Sequence, residues 1–258
     1  MPEVERNESC KTSALQEAVI HVRSLTKKFG NFTAVDHISF NISQGEILGF
    51  LGPNGAGKTT TIKMIIGLLR ITSGDVLIKS LDIKKNLKKI KPFIGYMSQK
   101  FSLYPLLNSY ENMEFFGGVS GLSPSEIRRH KLEISLQIPE RILRQKVMDI
   151  PPGIKQQVAL YTCLMPDPEI IFLDEPTSGV DPENRRDFWM RIYDLKKAGK
   201  TVLVTTHNLD EAEYANRVII IHKGNIIREG EPFALMEREG ADSMETLFKQ
   251  SIDSHETH

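Results

Sequence analysis

Residues 52–60 read Gly-Pro-Asn-Gly-Ala-Gly-Lys-Thr-Thr, and this stretch decides the fold. It matches the pattern G-x-x-x-x-G-K-[ST], in which glycines let backbone N–H groups approach phosphate oxygens closely. Lys58 supplies a cation for the phosphates, and Thr59 supplies a hydroxyl for Mg²⁺. The apolar residues 47–51 predict a strand before the loop, and the apolar stripe within 58–69 predicts a helix after it. This context favours a phosphate-binding loop over a chance match in a glycine-rich segment.

A pair of carboxylates follows a second apolar stretch. Residues 170–173, Ile-Ile-Phe-Leu, form a continuous apolar run that is typical of a strand covered on both faces. Asp174 at its end can hold Mg²⁺ through water, and Glu175 can polarise a water for attack on a γ-phosphate. Alone, an Asp-Glu pair is more often an ordinary helix cap. Together with residues 52–60 it indicates the metal- and water-binding half of one site.

Composition excludes several other classes of protein. The 258 residues contain 33 Lys and Arg and 33 Asp and Glu, so a formal net charge of zero gives no electrostatic argument for nucleic acid or an anionic membrane. No apolar run approaches the roughly 20 residues needed to span a bilayer, and residues 1–6 lack the apolar stretch of a secretory signal. The two cysteines, Cys10 and Cys163, have no metal-ligand spacing, which favours a reducing cytosol.

The remaining pattern divides the chain into sheet and helix regions. Short strands separated by turn residues predict an antiparallel sheet at the N-terminal end, with Ser43-Gln44-Gly45 as a hairpin link. The region at about 99–165 is predicted to be helical, and Ser123-Pro124-Ser125-Glu126 has the N-cap, proline and capping glutamate of a helix start. After Asp167-Pro168 strands and helices alternate again. The sequence therefore predicts an α/β core interrupted by an inserted helical subdomain.

Three further segments identify the kind of phosphate-binding protein. Gln99 follows an apolar strand, the run Pro-Thr-Ser-Gly-Val-Asp-Pro occupies 176–182, and His207 follows the strand pattern at 202–205. In this order and spacing, the chain resembles the nucleotide-binding domain of an ATP-binding cassette (ABC) protein over residues 18–235. The resemblance implies a P-loop NTPase (RecA-like) α/β core with an N-terminal antiparallel β-subdomain and an inserted α-helical subdomain.

The resemblance also sets expectations for the limits of the domain and for its site. We expect a flexible tail at 1–16, the nucleotide-binding domain at 17–240 and a C-terminal tail at 241–258. ATP and Mg²⁺ are the implied cofactors. The implied catalytic residues are Glu175, His207 and Gln99, and the implied metal-binding residues are Thr59, Gln99 and Asp174. The residues expected to bind the nucleotide are Phe29, Gly52, Pro53, Asn54, Gly55, Ala56, Gly57, Lys58, Thr59, Thr60, Gly153 and Asp181.

These implied roles differ in kind. Phe29 stands where the family places an aromatic side chain, usually Tyr, that stacks on adenine. Gln99 would reach Mg²⁺ and the attacking water, and would sense the transporter subunit. His207 would contact the γ-phosphate, and Asp181 would lie at a dimer interface. Alone, Gln99 or His207 would more often be structural; their position relative to 52–60 and the Asp-Glu pair favours the site.

One segment departs from the family pattern. Where the family has Leu-Ser-Gly-Gly-Gln, which binds the γ-phosphate held by the opposite subunit, this chain has Ile150-Pro151-Pro152-Gly153-Ile154. The serine hydroxyl is missing, and the two prolines lack backbone N–H donors. One interpretation is a structural helix cap with weak hydrolysis at the facing site. The other, slightly favoured, is that Gly153 and the helix dipole suffice. The chain most resembles exporter ATPases with a proline-containing segment here.

The leading functional hypothesis is the ATP-hydrolysing subunit of a multi-subunit ABC membrane exporter. It would act at the cytoplasmic face of the membrane with separate transmembrane permease subunits and a second cassette, identical or different. No nucleic acid partner is expected. The apolar loop 101–107 would dock a membrane subunit or would pack within the helical insert. A soluble ABC ATPase acting in assembly or repair is the alternative. A P-loop kinase or GTPase would not explain His207 and the 176–182 run.

Overall fold

The computed structural model describes residues 18–99 and 103–256, with side chains through residue 255. Within these ranges the first sheet has four strands in the order β2-β1-β4-β5, all antiparallel to their neighbours. Its strands are β1 (Ala18–Phe29), β2 (Phe32–Ser43), β4 (Ser73–Ile78) and β5 (Leu81–Asp82). This sheet is the predicted N-terminal β-subdomain.

The second sheet carries the strands that position the candidate site. Its order is β10-β9-β3-β8-β7-β6, and all of its pairs are parallel except the antiparallel pair of β9 and β10. The strands are β3 (Ile47–Leu51), β6 (Ile94–Met97), β7 (Ile170–Asp174), β8 (Thr201–Thr206), β9 (Arg217–His222) and β10 (Asn225–Gly230). The register pairs Leu51 with Thr206 and Asp174 with Thr205, so the carboxyl ends of these strands meet at one edge.

Helices cover the parallel sheet and fill the predicted insertion. Those next to the parallel sheet are α1 (Lys58–Ile65), α7 (Pro182–Lys197), α8 (Pro232–Glu239) and α9 (Met244–Glu256), whereas α2 (Ile83–Ile90) packs against β4 and β5 of the antiparallel sheet. Those in the insertion are α3 (Ser109–Val119), α4 (Pro124–Ser135), α5 (Glu140–Leu143) and α6 (Pro152–Leu164). Ser123 and Glu126 form a capping box with Pro124 at the first helical position, as their spacing predicts. The two sheets and the inserted helices confirm the predicted fold class, an α/β core with an N-terminal antiparallel β-subdomain and an inserted α-helical subdomain.

Two apolar cores lie on opposite faces of the parallel sheet. The alternation of β3 illustrates them: Leu48 and Phe50 pack towards the antiparallel sheet and α1, whereas Ile47 and Leu51 face the inserted helices and α7. All five residues of β3 are buried, which explains its continuous apolar sequence. The phosphate-binding loop thus leaves a strand that is fixed on both faces.

Three expectations from the sequence differ from the structure. Residues 43–45 are not a hairpin link, because β2 and β3 lie in different sheets and the turn carries the chain from one sheet to the other. The helix after the loop ends at Ile65 rather than at residue 69, and Gly67 follows it in a left-handed conformation with φ +73°. The tail expected at 241–258 contains α9, whose Leu247 is buried. The tail expected at 1–16 lies outside the described residues.

The helices also bear on membrane insertion. Among the residues that the structure describes, none forms a helix with the length and apolar character required to cross a bilayer.

Candidate functional site

The loop between β3 and α1 requires glycine at two positions. Gly57 precedes α1 with φ +109°, and a Cβ there would lie 2.7 Å from the carbonyl oxygen of Ala34. A Cβ at Gly52 would lie 2.4 Å from the carbonyl oxygen of Ile221. The loop is anchored to the β9–β10 turn, because the N–H of Gly224 donates to the Ala56 carbonyl at 3.0 Å. The loop is therefore pressed against β2 and the β9–β10 turn, with its tip free.

The open side of this loop suits an anion. Asn54 and Gly55 at the tip are exposed, and the Pro53 carbonyl accepts the Ala56 N–H at 3.2 Å. Gly57, the N-cap of α1, makes no side-chain capping hydrogen bond. The first N–H groups of α1, from Lys58 onwards, thus lie at the positive end of the helix dipole beside the loop. Phosphate groups are the ligands that such a helix start binds.

Lys58 places a cation within this loop. Its side chain is buried, and its Nζ donates to the carbonyl of Gly52 at 2.7 Å and to that of Pro53 at 3.2 Å. The same atom lies 3.1 Å from Oε1 of Glu175. The loop and the carboxylate after β7 are therefore joined by one ammonium group.

The hydroxyl of Thr59 and the carboxylate of Asp174, two of the groups expected to bind the metal ion, contact each other. Thr59 Oγ1 donates to Asp174 Oδ1 at 2.9 Å, and Thr205 Oγ1 donates to the same oxygen at 2.8 Å. Tyr96 donates to Asp174 Oδ2 at 3.5 Å, and burial together with the Asp174 charge raises the pKa of Tyr96, so it stays protonated. Hydroxyl and carboxylate oxygens suit Mg²⁺, which in proteins commonly takes its other ligands from phosphates and water. The donor set fits this metal.

The carboxylate of Glu175 contacts Lys58, Gln99 and His207. Glu175 is buried and has φ +48°, a conformation that is uncommon for residues other than glycine and that concentrates at functional sites. Its backbone N–H donates to Oγ1 of Thr205 at 2.9 Å and lies 3.1 Å from the carbonyl oxygen of the same residue. Its Oε2 accepts from Gln99 Nε2 at 2.8 Å and lies 3.0 Å from Nδ1 of His207. Gln99 and His207, the other two predicted catalytic residues, therefore both contact the carboxylate of Glu175.

Phe29 lies apart from this cluster. It ends β1, its side chain is half exposed, and the Lys27 ammonium lies 4.8 Å from the centre of its ring. An exposed aromatic ring with a cation over it can offer a face to a nucleobase. Its role in adenine stacking stays a prediction.

Gly153 and Asp181 are brought together with each other rather than with the loop at 52–60. Asp181 caps α7 by accepting from the N–H of Asn184 at 3.1 Å, and its other oxygen accepts from the Asn184 side-chain amide at 2.7 Å. The side-chain and backbone hydrogen bonds of Asn184 lower the pKa of Asp181. A Cβ on Gly153 would lie 2.7 Å from Cγ of Asn184. The segment 150–154, which differs from the family pattern, thus packs through Gly153 against Asn184, whose side-chain amide donates to Asp181.

Several residues of the site escape sequence reasoning. Thr205 and Tyr96 contact Asp174 only because the register of β6, β7 and β8 places them beside it. Glu211 and Thr177 form a buried hydrogen bond of 2.7 Å behind Glu175 and His207. For Thr205 a signal was present in the sequence, because Thr205 and Thr206 form the polar end of the otherwise apolar strand β8. No comparable pattern marks Thr177 or Glu211.

Comparison with known proteins gives consistent matches. The family described as "ABC transporter" matches residues 35–178, more than half of the chain. The chain is 45% identical over 245 residues to the "Probable multidrug ABC transporter ATP-binding protein YbhF" of Escherichia coli (strain K12), which covers 92% of this chain and 42% of that protein. It is 35% identical over 238 residues to the "Linearmycin resistance ATP-binding protein LnrL" of Bacillus subtilis (strain 168), covering 91% and 76%.

A solved structure gives the same answer. The "Dimeric structure of a post-hydrolysis state of the ATP-binding cassette MJ0796 bound to ADP and Pi" matches with a TM-score of 0.74 and 31% identity, covering 82% of this chain and 98% of that one. The chain spans less than half of the length of its Escherichia coli relative. The resemblance stated from the sequence is nevertheless confirmed, since the fold, the site and the matches agree. This chain belongs to the ABC transporter family, as an ATP-binding cassette.

Proposed function

We propose that this chain binds ATP with Mg²⁺ and hydrolyses it to ADP and phosphate, and that the reaction powers an exporter. One observation supports the hydrolytic role most directly. Lys58, Gln99 and His207 all contact the buried carboxylate of Glu175, next to a loop built for phosphate. A cation for phosphate, a carboxylate for water and two groups that orient it are the parts that phosphoryl transfer to water requires.

The contacts assign a task to each side chain. The loop N–H groups and Lys58 bind the β- and γ-phosphates and stabilise the charge that develops on them. Glu175 accepts a hydrogen bond from the attacking water and polarises it, while Gln99 and His207 hold the carboxylate in place. Thr59 and Asp174 would hold Mg²⁺, which would supply positive charge to neutralise the phosphates. The bond from the water oxygen to the γ-phosphorus forms as the bond to the leaving ADP oxygen breaks, and the proton that the water loses passes by way of Glu175 to the phosphate product.

A second cassette completes the site in this proposal. Asp181 and Gly153 form a cluster of their own with Asn184, away from the loop at 52–60, and beside it Asp181, Pro151 and Pro152 are exposed to a facing copy. The similar cassette MJ0796 is described as dimeric, bound to ADP and phosphate. We infer that two cassettes face each other, each offering residues 150–154 to the nucleotide of the other. The partner cassette is identical or related.

Export across a membrane is the favoured use of this reaction. The relatives are named for multidrug transport and linearmycin resistance. Separate transmembrane subunits would then hold the chain at the cytoplasmic face of the membrane. The docking surface we propose is the loop after Gln99, where Tyr104 and Leu106 are exposed and Tyr104 stacks on Phe116. A soluble role in assembly or repair would leave this exposed apolar loop without a use. Phe101, at the start of the loop, lies outside the described residues.

Membrane association and ATP binding test the proposal together. Replacing Tyr104 and Leu106 with Asp should release the chain from washed membranes of the native host, while a fluorescent ATP analogue still binds. Leu68→Asp is the matched control, because Leu68 is as exposed as Leu106 but lies after α1. Retained membrane association of the double variant would contradict the docking surface. Absence of ATP hydrolysis by the wild-type chain in those membranes would contradict the enzymatic role.

A further inference from the structure

A buried carboxylate lies behind the catalytic cluster. Glu211 is 2% exposed and belongs to the 3₁₀ turn Leu209–Tyr214, which follows His207 directly after Asn208. Its Oε1 accepts from the Thr177 hydroxyl at 2.7 Å and lies 3.4 Å from Nε of Arg185. A charge out of water is costly unless it is paired, so Glu211 is strongly tied to these two partners.

The partners of Glu211 belong to the other functional loop. Thr177 lies two residues after Glu175 and is buried. Arg185 is in the first turn of α7, and its guanidinium donates to the carbonyl of Val180 at 3.2 Å. Val180 precedes Asp181, the cap that holds Asn184. A single carboxylate therefore ties the turn after His207 to the segment that leads to Asp181.

The two loops border a cavity of about 400 Å³, and Glu175, His207, Arg185 and Glu211 are among the residues that line it. The loops are also joined by His207, whose Nδ1 lies 3.0 Å from Oε2 of Glu175. Among the described residues, Oε2 of Glu211 and Nε of Arg185 are buried without a hydrogen-bond partner. A half-satisfied buried network is less stable than an apolar core. Retaining one beside a catalytic carboxylate points to a role in the reaction rather than in folding.

We propose that Glu211 is a positioning residue for ATP hydrolysis, which holds His207 against Glu175 and fixes the 177–181 segment at the same time. The proposal rests on the hydrolytic function proposed above. Because Glu211 belongs to the turn that follows His207 and its carboxylate accepts from Thr177, a shift of the 177–181 segment would be transmitted to His207 along this turn. Contact of Asp181 with a facing cassette would in this way influence the catalytic cluster within the same chain.

Loss of Glu211 should impair turnover through His207. In the full-length chain, Glu211→Ala should lower kcat by about tenfold, the size typical of outer groups that orient a functional side chain, with KM for ATP changed less than about twofold. In the His207→Ala background, Glu211→Ala should cost less than about a further twofold, because its effect is already lost. An unchanged kcat, or losses that multiply in the double variant, would overturn the proposal.

The single tryptophan gives a readout that a general loss of stability would not mimic. Trp189 in α7 is buried, and its ring centre lies 5.4 Å from that of Tyr214, in the same turn as Glu211. Glu211→Ala should therefore change the emission of Trp189 in the folded protein at a temperature well below its Tm. Unchanged emission together with a lower kcat would show that the turn Leu209–Tyr214 has not moved, and would overturn the proposal that Glu211 acts by positioning it.

Two further variants keep the test decisive. If Glu211→Ala does not fold, Thr177→Val can replace it, because this substitution removes one hydrogen bond to Glu211 without changing side-chain shape. It should also lower kcat, but by a smaller factor than Glu211→Ala. Glu46→Ala is the control for breaking a largely buried ion pair, since Glu46 pairs with Arg217 elsewhere in the molecule. It should lower Tm and leave kcat unchanged. No hydrolysis by the wild type overturns both proposals, whereas a Glu211→Ala chain with the kcat of the wild type overturns this one alone.

Discussion

The ammonium Nζ of Lys58 lies 3.1 Å from Oε1 of Glu175, and both side chains are buried. Two opposite charges are stable out of water only when each has the other and further hydrogen bonds. The same ammonium is the group that binds phosphate oxygens in loops of this kind. The carboxylate and the phosphates of ATP therefore compete for one cation. Glu175 should influence the affinity for ATP as well as the rate of hydrolysis.

Glu175→Gln is expected to separate these two effects. The amide keeps the shape of the side chain but cannot polarise water as a base, so turnover should fall by at least about 100-fold. Because Lys58 is no longer paired with a carboxylate, the affinity for ATP should rise. Phosphate release and binding of a fluorescent ATP analogue measure the two quantities on the same sample.

The matched control for that substitution is Glu169→Gln. Glu169 precedes β7, as Glu175 follows it, and it pairs with Lys79 at the surface. Its replacement should change neither turnover nor ATP affinity. Turnover by the Glu175→Gln chain within threefold of wild type would remove Glu175 from the catalytic role.

The hydroxyl of Thr59 is expected to determine the requirement for Mg²⁺. Thr59→Val removes the hydrogen bond of 2.9 Å to Asp174 and one oxygen donor, while side-chain volume is kept. The Mg²⁺ concentration for half-maximal hydrolysis should rise by about tenfold or more. Thr72→Val, at a threonine whose hydroxyl accepts from the Lys28 N–H and, among the described residues, makes no hydrogen bond to Asp174, should leave it unchanged. An unaltered Mg²⁺ titration for Thr59→Val would place the metal elsewhere.

The side chain of Asn184 limits the space beside Gly153. Gly153→Ala would place a methyl group 2.7 Å from Cγ of Asn184 and displace the amide that Asp181 holds. Because the neighbour is the end of a side chain that can move, the cost should lie near the lower end of the range for overpacking, about 1 kcal/mol. Asn184→Ala in the same chain makes room for the methyl and should restore thermal stability, measured as Tm. If the double variant is no more stable than Gly153→Ala, the clash is not the cause.

The sequence predicts the parts of the site that are local in the chain. Residues 52–60 and the pair Asp174-Glu175 are read from contiguous letters, and parallel strands bring their carboxyl ends to one edge. Gln99 and His207 could be assigned only through their order relative to those motifs. Each of them then lies within hydrogen-bond distance of Glu175.

What escapes prediction depends on contacts between distant segments. Thr205 reaches Asp174 through strand register, and Glu211 reaches Thr177 across 34 residues, so no local pattern marks either one. The turn at 43–45 was expected to join paired strands, because a short link between apolar runs does not reveal that they enter different sheets. The helix α9 was missed because a single apolar face at the end of a chain looks like a polar tail.

The segment at 150–154 gives a prediction about the rate of hydrolysis. Pro151 is the N-cap of α6 and makes no side-chain capping bond, while Pro152 stands at the first helical position, where it is structurally comfortable. Pro151→Ser combined with Pro152→Gly introduces a hydroxyl and two backbone N–H groups at the start of the helix. These groups are donors for a phosphate held by a facing cassette, so ATP turnover should increase.

A stability effect must be separated from this gain, because a serine N-cap alone stabilises a helix by about 1 kcal/mol. Pro139→Ser is the matched control: Pro139 is the N-cap of α5 and likewise makes no capping bond, but it lies outside the segment expected to face a nucleotide. It should raise Tm without changing turnover. If the double variant at 151 and 152 also raises only Tm, or lowers turnover, then Gly153 and the helix dipole already suffice and the prolines do not limit hydrolysis.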